Sequence, residues 1–266
     1  MYFIITCKSF EKTFQKALFA DDLGIWCTDS SLKIIETKLQ TAINAIEAFS
    51  NRWGLILSKK KTFYTVFCTA GLRANYYRTY NLNLRLDGTW LPLDPHPTFL
   101  GITLDPKLTF TKHLEMLETK MAKKSYLFRR IKGMKINSIR INSILFKSLI
   151  RSLSDYAFIP LSSPTLRIMK KLQSLQTRIL RQIKYFPLKT RTSAILSYFN
   201  LDSLETRTAK LLGKFTKAKR DHDLISSELA IFKEKIHPKE RKYRTTFDKM
   251  LGLTSGQGNL DTHPTS

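Results

Sequence analysis

Up to about Phe110 the spacing of apolar and polar positions changes often, and beyond Thr111 it settles into helical periods. Residues 16–18 and 23–28 are short apolar runs on either side of Ala20-Asp21-Asp22, which predicts a β-hairpin with acidic residues at its tip. Leu32, Ile35, Leu39, Ile43, Ile46, Phe49 and Trp53 then recur every three or four residues, one apolar stripe on a helix. Ser30 or Ser31 can cap its start and Gly54 can end it. Residues 55–57, 63–68, 82–86 and 98–104 read as strands, with Asp87-Gly88 as a tight turn between two of them.

Four helices are predicted after that, over residues 111–131, 137–153, 164–185 and 201–219, with Gly133 as a break between the first two. Ser163-Pro164 is a start signal for the third, since serine can cap and proline suits the first helical turn. The stretch from His237 mixes charge with Gly, Pro, Ser and Thr, and a disordered tail is expected there. The fold class read from this pattern is α+β: a small mixed piece over 1–110, an all-helical piece over 111–236 and a loose end over 237–266.

Charge narrows the partners. The 266 residues hold 45 Lys+Arg against 21 Asp+Glu, a formal net charge of +24, while 42% hydrophobic content is ample for a core. So much positive charge on a folded surface repels itself unless a polyanion compensates it, and nucleic acid is the first candidate, ahead of an anionic membrane surface. Cys7, Cys27 and Cys68 are too few and too scattered for a disulfide framework or a zinc knuckle. The apolar stretch over residues 2–7 is too short for a signal peptide or a membrane span, so an intracellular protein of nucleus or cytoplasm, away from membranes, is expected.

The sharpest chemical feature is Phe19-Ala20-Asp21-Asp22. Adjacent carboxylates held out from a hairpin offer hard oxygens to a divalent ion such as magnesium, with manganese the close substitute. Small Ala20 would let a ligand approach, and Gly24 would relax the return strand. An Asp-Asp turn without a ligand is the plain alternative, since Asp is favoured in turns.

The string resembles the aromatic-Ala-Asp-Asp box of reverse transcriptases, and the residues downstream of it resemble their non-LTR (LINE-type, jockey-like) retrotransposon branch in order and spacing. The successive matches are Trp53-Gly54-Leu55-Ile56-Leu57-Ser58 with Lys61-Thr62, then Phe99-Leu100-Gly101-Ile102-Thr103-Leu104-Asp105 with His113 downstream. Residues 149–156 and 172–176 resemble the helical segment that comes next. The resemblance runs from about Leu18 to Leu204. It implies the C-terminal part of a polymerase palm followed by a thumb, acting as an RNA-directed DNA polymerase on RNA template, DNA primer and deoxynucleoside triphosphates. Asp21 and Asp22 match the metal-binding catalytic pair, Lys61 the lysine after the palm helix, and Phe99, Leu100 and Gly101 the primer-gripping hairpin.

Two departures stand out. Ser58 stands where many relatives have Asn, and only 18 residues precede Phe19, too few for the fingers and for the third carboxylate of a two-metal site. Glu11 is too close in sequence to substitute. A truncated segment, inactive alone, is therefore expected, and the alternative is a non-catalytic basic nucleic-acid-binding protein derived from such an element. A group II intron maturase shares the acidic box but fits the Trp-Gly-Leu stretch and the Gln-rich helix less well.

Over residues 164–185, Arg167, Lys170, Lys171, Arg178 and Arg181 fall on one side of a helix and Ile168, Leu172, Leu175, Ile179 and Ile183 on another, so one side can pack and the other meet phosphates. Lys123, Lys124, Arg129 and Arg130 repeat the theme, and Tyr76, Tyr77, Arg78 and Tyr80 are stacking or core candidates. His96, His113, His222 and His237 lack metal-ligand spacing, which points to helix-end or surface roles, and Cys27 reads as a small apolar residue.

Overall fold

The computed structural model describes residues 2–6, 15–68, 71–133, 138–223, 225–227, 229–230 and 250. Cys7, Glu11, His237 and nearly all of the expected disordered tail lie outside these residues. The chain divides into two compact units, one ending at His113 and the other beginning at Leu114. The described residues are α+β, with short hairpins concentrated in the first unit and long helices in the second.

The first unit is built on a four-stranded sheet of order β2-β3-β1-β4, in which β1 is Tyr2–Thr6, β2 Gln15–Phe19, β3 Asp22–Trp26 and β4 Phe63–Phe67. β2 and β3 form an antiparallel hairpin, and β1 lies parallel to both β3 and β4. Between β3 and β4 runs helix α1, Leu32–Trp53. Ile35, Leu39 and Ile43 of its apolar stripe are fully buried against Ile25, Cys27, Tyr64 and Val66. Gly54 ends it in a left-handed conformation (φ 64°), as the sequence suggests.

Ser31 occupies the N-cap, but its hydroxyl makes no cap bond; instead Asp29 accepts from the Ser31 amide at 3.2 Å and pairs with Lys38 at 3.0 Å. The stripe also stops short of its expected end. Phe49 and Trp53 lie 56% and 65% exposed, their rings 6.1 Å apart. Burial in these last turns passes instead to Ser50, 3% exposed, with Ile46 packed against the core.

The strand expected over 55–57 is absent: those residues are irregular, Ile56 is 97% exposed, and a 3-10 turn at Lys59–Lys61 comes next. The strand over 63–68 is β4. Its outward edge is closed group by group: the Tyr64 amide donates to Pro92 O, that of Val66 to the Tyr76 hydroxyl and that of Cys68 to Pro106 O. Tyr76 opens the short helix α2, Tyr76–Thr79, and its hydroxyl also donates to Val66 O at 2.7 Å, so this aromatic is a core residue.

Residues 82–86 yield only β5, Arg85–Leu86, which pairs with β6, Thr89–Trp90, around the Asp87-Gly88 turn (φ 48° and 71°). Residues 98–104 are not one strand but a second small hairpin, β7 (Thr98–Phe99) and β8 (Ile102–Thr103). Leu100 and Gly101 both take left-handed backbone (φ 47° and 76°), the two-residue reversal that matches strand twist.

In the second unit, α3 (Thr111–Gly133) begins with residues of the first. The helix expected over 137–153 is interrupted. It comprises α4 (Ile139–Phe146), a π-helical turn at Lys147–Arg151 and α5 (Ser152–Tyr156). Such a turn carries no hydropathy signature. It accompanies the burial of Arg151, which donates to Asp202 O at 2.6 Å; burial pulls the guanidinium pKa down and the Asp155 carboxylate opposes that.

α6 spans Leu166–Ile183, two residues inside the expected start, because Thr165 supplies the capping hydroxyl. α7 (Thr192–Tyr198) has no counterpart among the expected helices, and α8 runs over Leu204–Ala218 with Ser203 as its cap. Leu117, Met121, Phe128, Phe146, Ile150, Leu172, Ile179, Leu180, Ile195 and Phe199 share one buried core. Arg207 grips Asp155 through Nε and Nη2, tying α8 to α5.

Candidate functional site

The β2–β3 register pairs Phe19 with Asp22, so Ala20 and Asp21 form the whole turn. Ala20 takes φ 51°, a conformation that costs an L-residue about 1–2 kcal/mol, and the reversal leaves Asp21 exposed. Asp22 is the first residue of the return strand and is half-buried. Directly paired residues share a face of the hairpin. Asp22 therefore lies with Phe19, Ala17, Gly24, Gln15 and Trp26, the last donating to Gln15 Oε1 at 2.6 Å. The opposite face carries Ile25 and Cys27 into the core beneath α1.

Gly24 sits mid-strand without a positive φ; paired with Ala17, it keeps the Asp22 face low. Neither carboxylate makes a hydrogen bond or ion pair among the described residues. The pair suits a hard divalent ion, since magnesium is commonly held by one or two carboxylates with water and substrate phosphates completing its shell. No group of three or more His, Cys, Asp or Glu able to hold a metal forms among the described residues.

Lys61 ends the 3-10 turn after α1, exposed and without an ion pair to Asp21 or Asp22. Phe99, Leu100 and Gly101 form the head of the β7–β8 hairpin, whose legs are tied by the Thr98 and Thr103 hydroxyls at 3.1 Å. His113 is not on the surface. It is buried, and its Nδ1 accepts from the Thr103 amide at 3.2 Å, anchoring β8 to the first turn of α3.

Asp105 closes the same box and does more than the sequence shows. Its carboxylate accepts from the amides of Lys107, Thr109 and Phe110 and from the Thr109 hydroxyl. These bonds hold a loop in which Leu108 and Phe110 take left-handed backbone, φ 54° and 57°. An Asp followed by Pro and, four residues on, by Thr is the local signal that could have revealed it. Asp105→Ala is expected to cost about 2–3 kcal/mol, read as a lowered urea midpoint with an unchanged m-value.

On α6 the basic residues do share one face, but they do not share one condition. Arg167, Lys170 and Arg178 are exposed and make no intramolecular ion pair or hydrogen bond among the described residues. Lys171 pairs with Glu118 at 2.8 Å. Arg181 is turned to its own chain, donating to Phe186 O, Pro187 O and Thr190 O at 3.4, 3.0 and 2.8 Å. That use of Arg181 is invisible in the periodicity. On α3, Tyr126 lies under the guanidinium groups of Arg129 and Arg130, at 5.8 and 5.2 Å from the ring centroid. No helix among the described residues is long and apolar enough to cross a membrane.

The sequence that folds this way is similar along most of its length to a segment of RNA-directed DNA polymerases of non-LTR mobile elements, the class its boxes resemble. One relative is the probable RNA-directed DNA polymerase from transposon BS of Drosophila melanogaster, 22% identical over 89% of this chain and 25% of the relative. Another is the RNA-directed DNA polymerase from mobile element jockey of the same fly, 26% identical over 77% of this chain and 22% of the relative. The chain thus spans about a quarter of the length of the curated relatives it matches. No family model matches it, and no solved structure does.

Proposed function

We propose that the chain is a palm-and-thumb portion of an RNA-directed DNA polymerase, with residues 1–110 as partial palm and 111–236 as thumb. The observation that carries this reading is an acidic pair at the tip of a hairpin, Asp21 within its two-residue turn and Asp22 opening the return strand, in a chain similar to two such polymerases. Asp21 and Asp22 would hold magnesium or manganese. When bound, the ions would favour ionisation of the primer 3′ hydroxyl and neutralise charge on the departing pyrophosphate.

The remaining tasks fall to the chain's own residues. Lys61 directs a cation toward the triphosphate of the incoming nucleotide. The head of the β7–β8 hairpin, Phe99 to Gly101, steadies the primer, its position set by Asp105 and His113 in the loop and helix behind it. Arg167, Lys170 and Arg178 line up along α6 toward the phosphates of the RNA–DNA duplex, while Lys171 divides its charge between Glu118 and that partner.

Primer extension tests the catalytic half of this reading, and a salt titration tests the binding half. The chain is expected to bind primer–template duplex with little sequence preference and with affinity that falls steeply as salt rises. Replacing Arg167, Lys170 and Arg178 together by Ala should shallow the log–log salt slope by about one unit per residue. On a blunt duplex, Arg181→Ala alone should leave that slope unchanged, since its guanidinium is committed to loop carbonyls. An unchanged slope in the triple variant would move the phosphate contacts off α6.

A further inference from the structure

Loop 184–191, between α6 and α7, is held unusually firmly for a surface connection. Arg181 fastens three of its carbonyls, and the Thr190 amide donates to Pro187 O at 3.0 Å. Phe186 points inward, packing edge-on against Tyr198 and Phe199 with centroids 5.4 and 6.1 Å away. Tyr185, just before this anchor, and Leu188, two residues after it at the corner of the turn, go the other way, 79% and 95% exposed. Lys184, Lys189 and Arg191, close by in the chain, are exposed as well. The loop thus presents an aromatic ring and an aliphatic tip amid positive charge, on a backbone already ordered.

Its place adds direction. Arg181 shares the α6 face with Arg178, Lys170 and Arg167, so the loop continues the row of exposed cations beyond the helix end. We propose that this loop receives an unpaired base of a nucleic-acid strand, with Tyr185 stacking on it, Leu188 closing its edge and Lys189 and Arg191 taking the adjoining phosphates. This rests on the nucleic-acid reading above and adds to it a site for single-stranded nucleic acid. Stacking on an aromatic side chain is sequence-tolerant, because every base offers a π face. Fixing the loop beforehand removes ordering entropy that binding would otherwise cost. A membrane would meet only two apolar side chains here, too little buried area for firm attachment.

The test measures anisotropy of two labelled primer–template duplexes of equal phosphate count, one blunt and one with a single-stranded template overhang, with phosphatidylserine vesicles in parallel. The unmodified chain should favour the overhang. Tyr185→Ala should weaken overhang binding by roughly 5- to 150-fold, the range of one lost stacking contact, with blunt binding and salt slope unchanged. Tyr185→Phe should bind as the unmodified chain, and Tyr185→Trp should show quenched indole fluorescence on the overhang. Arg181→Ala, which frees the loop, should lose the same preference and add nothing to Tyr185→Ala. If Tyr185→Ala keeps the overhang preference while the α6 triple variant loses affinity, the nucleic-acid reading stands and the loop site falls. If Tyr185→Ala impairs vesicle binding alone, the loop serves a lipid surface and the proposal is overturned. If the unmodified chain binds neither duplex, both readings fall together.

Discussion

Asp21→Asn is expected to abolish metal-dependent primer extension on an RNA template while leaving duplex binding intact. The assay uses this chain joined to the upstream fingers and palm of a close relative, because the described residues bring no third metal-binding side chain to the pair. Asparagine keeps the shape of the turn residue and removes its charge, so the hairpin should survive. A lost carboxylate ligand removes several kcal/mol of charge stabilisation from the transition state, about a 10³-fold loss of rate or more. Asp22→Asn should impair extension severely as well. The sharpest contrary result is robust extension by the joined chain carrying Asp21→Asn, which would place the metals on other carboxylates.

Phe146→Ala is the substitution expected to cost the second unit most. Phe146 is fully buried, with its ring 6.3 Å from that of Phe128 and 6.0 Å from the Arg151 guanidinium. It also ends α4 where the π-helical turn begins. Deleting a buried ring costs about 3–5 kcal/mol through lost transfer energy and the cavity left behind. Much of a marginal domain stability of about 5–15 kcal/mol would go. Thermal unfolding followed by far-ultraviolet circular dichroism should show helical signal lost at lower temperature, with the salt-dependent duplex affinity lost alongside it. Phe146→Leu, which refills most of the volume, should recover most of both. A midpoint unmoved by Phe146→Ala would mean that this core is loosely packed.

Much is legible in the chain alone because it depends on short-range patterns. The stripe Ile35, Leu39, Ile43 specifies a helix with one buried face wherever the sheet lies, and Gly54 stops it through its own conformational freedom. Asp87-Gly88 announces its turn, since few other pairs accept two left-handed residues. The order of the boxes around Asp21-Asp22, Trp53-Gly54 and Leu100-Gly101 is likewise enough to reach the right class of relative.

What pattern could not decide is which chemically identical groups are free. Arg178 and Arg181 are one helical turn apart, on the same face and of the same type. Only the return of the chain at Phe186–Thr190 commits the second to carbonyls and leaves the first to solvent. Phe49 and Trp53 continue the stripe of Ile43 without a break, yet lie exposed while Ser50 between them is buried, a choice that packing makes and periodicity does not. Asp105 and His113 become positioning residues through amides that residues up to ten places away bring to them. By itself the sequence determined α1 with its Gly54 stop, the Asp87-Gly88 turn and the acidic hairpin, all of which rest on contacts within a few residues. The tertiary structure alone decided the pairing of each polar group, because a partner 10 or 50 residues away in sequence is placed only when the whole unit packs.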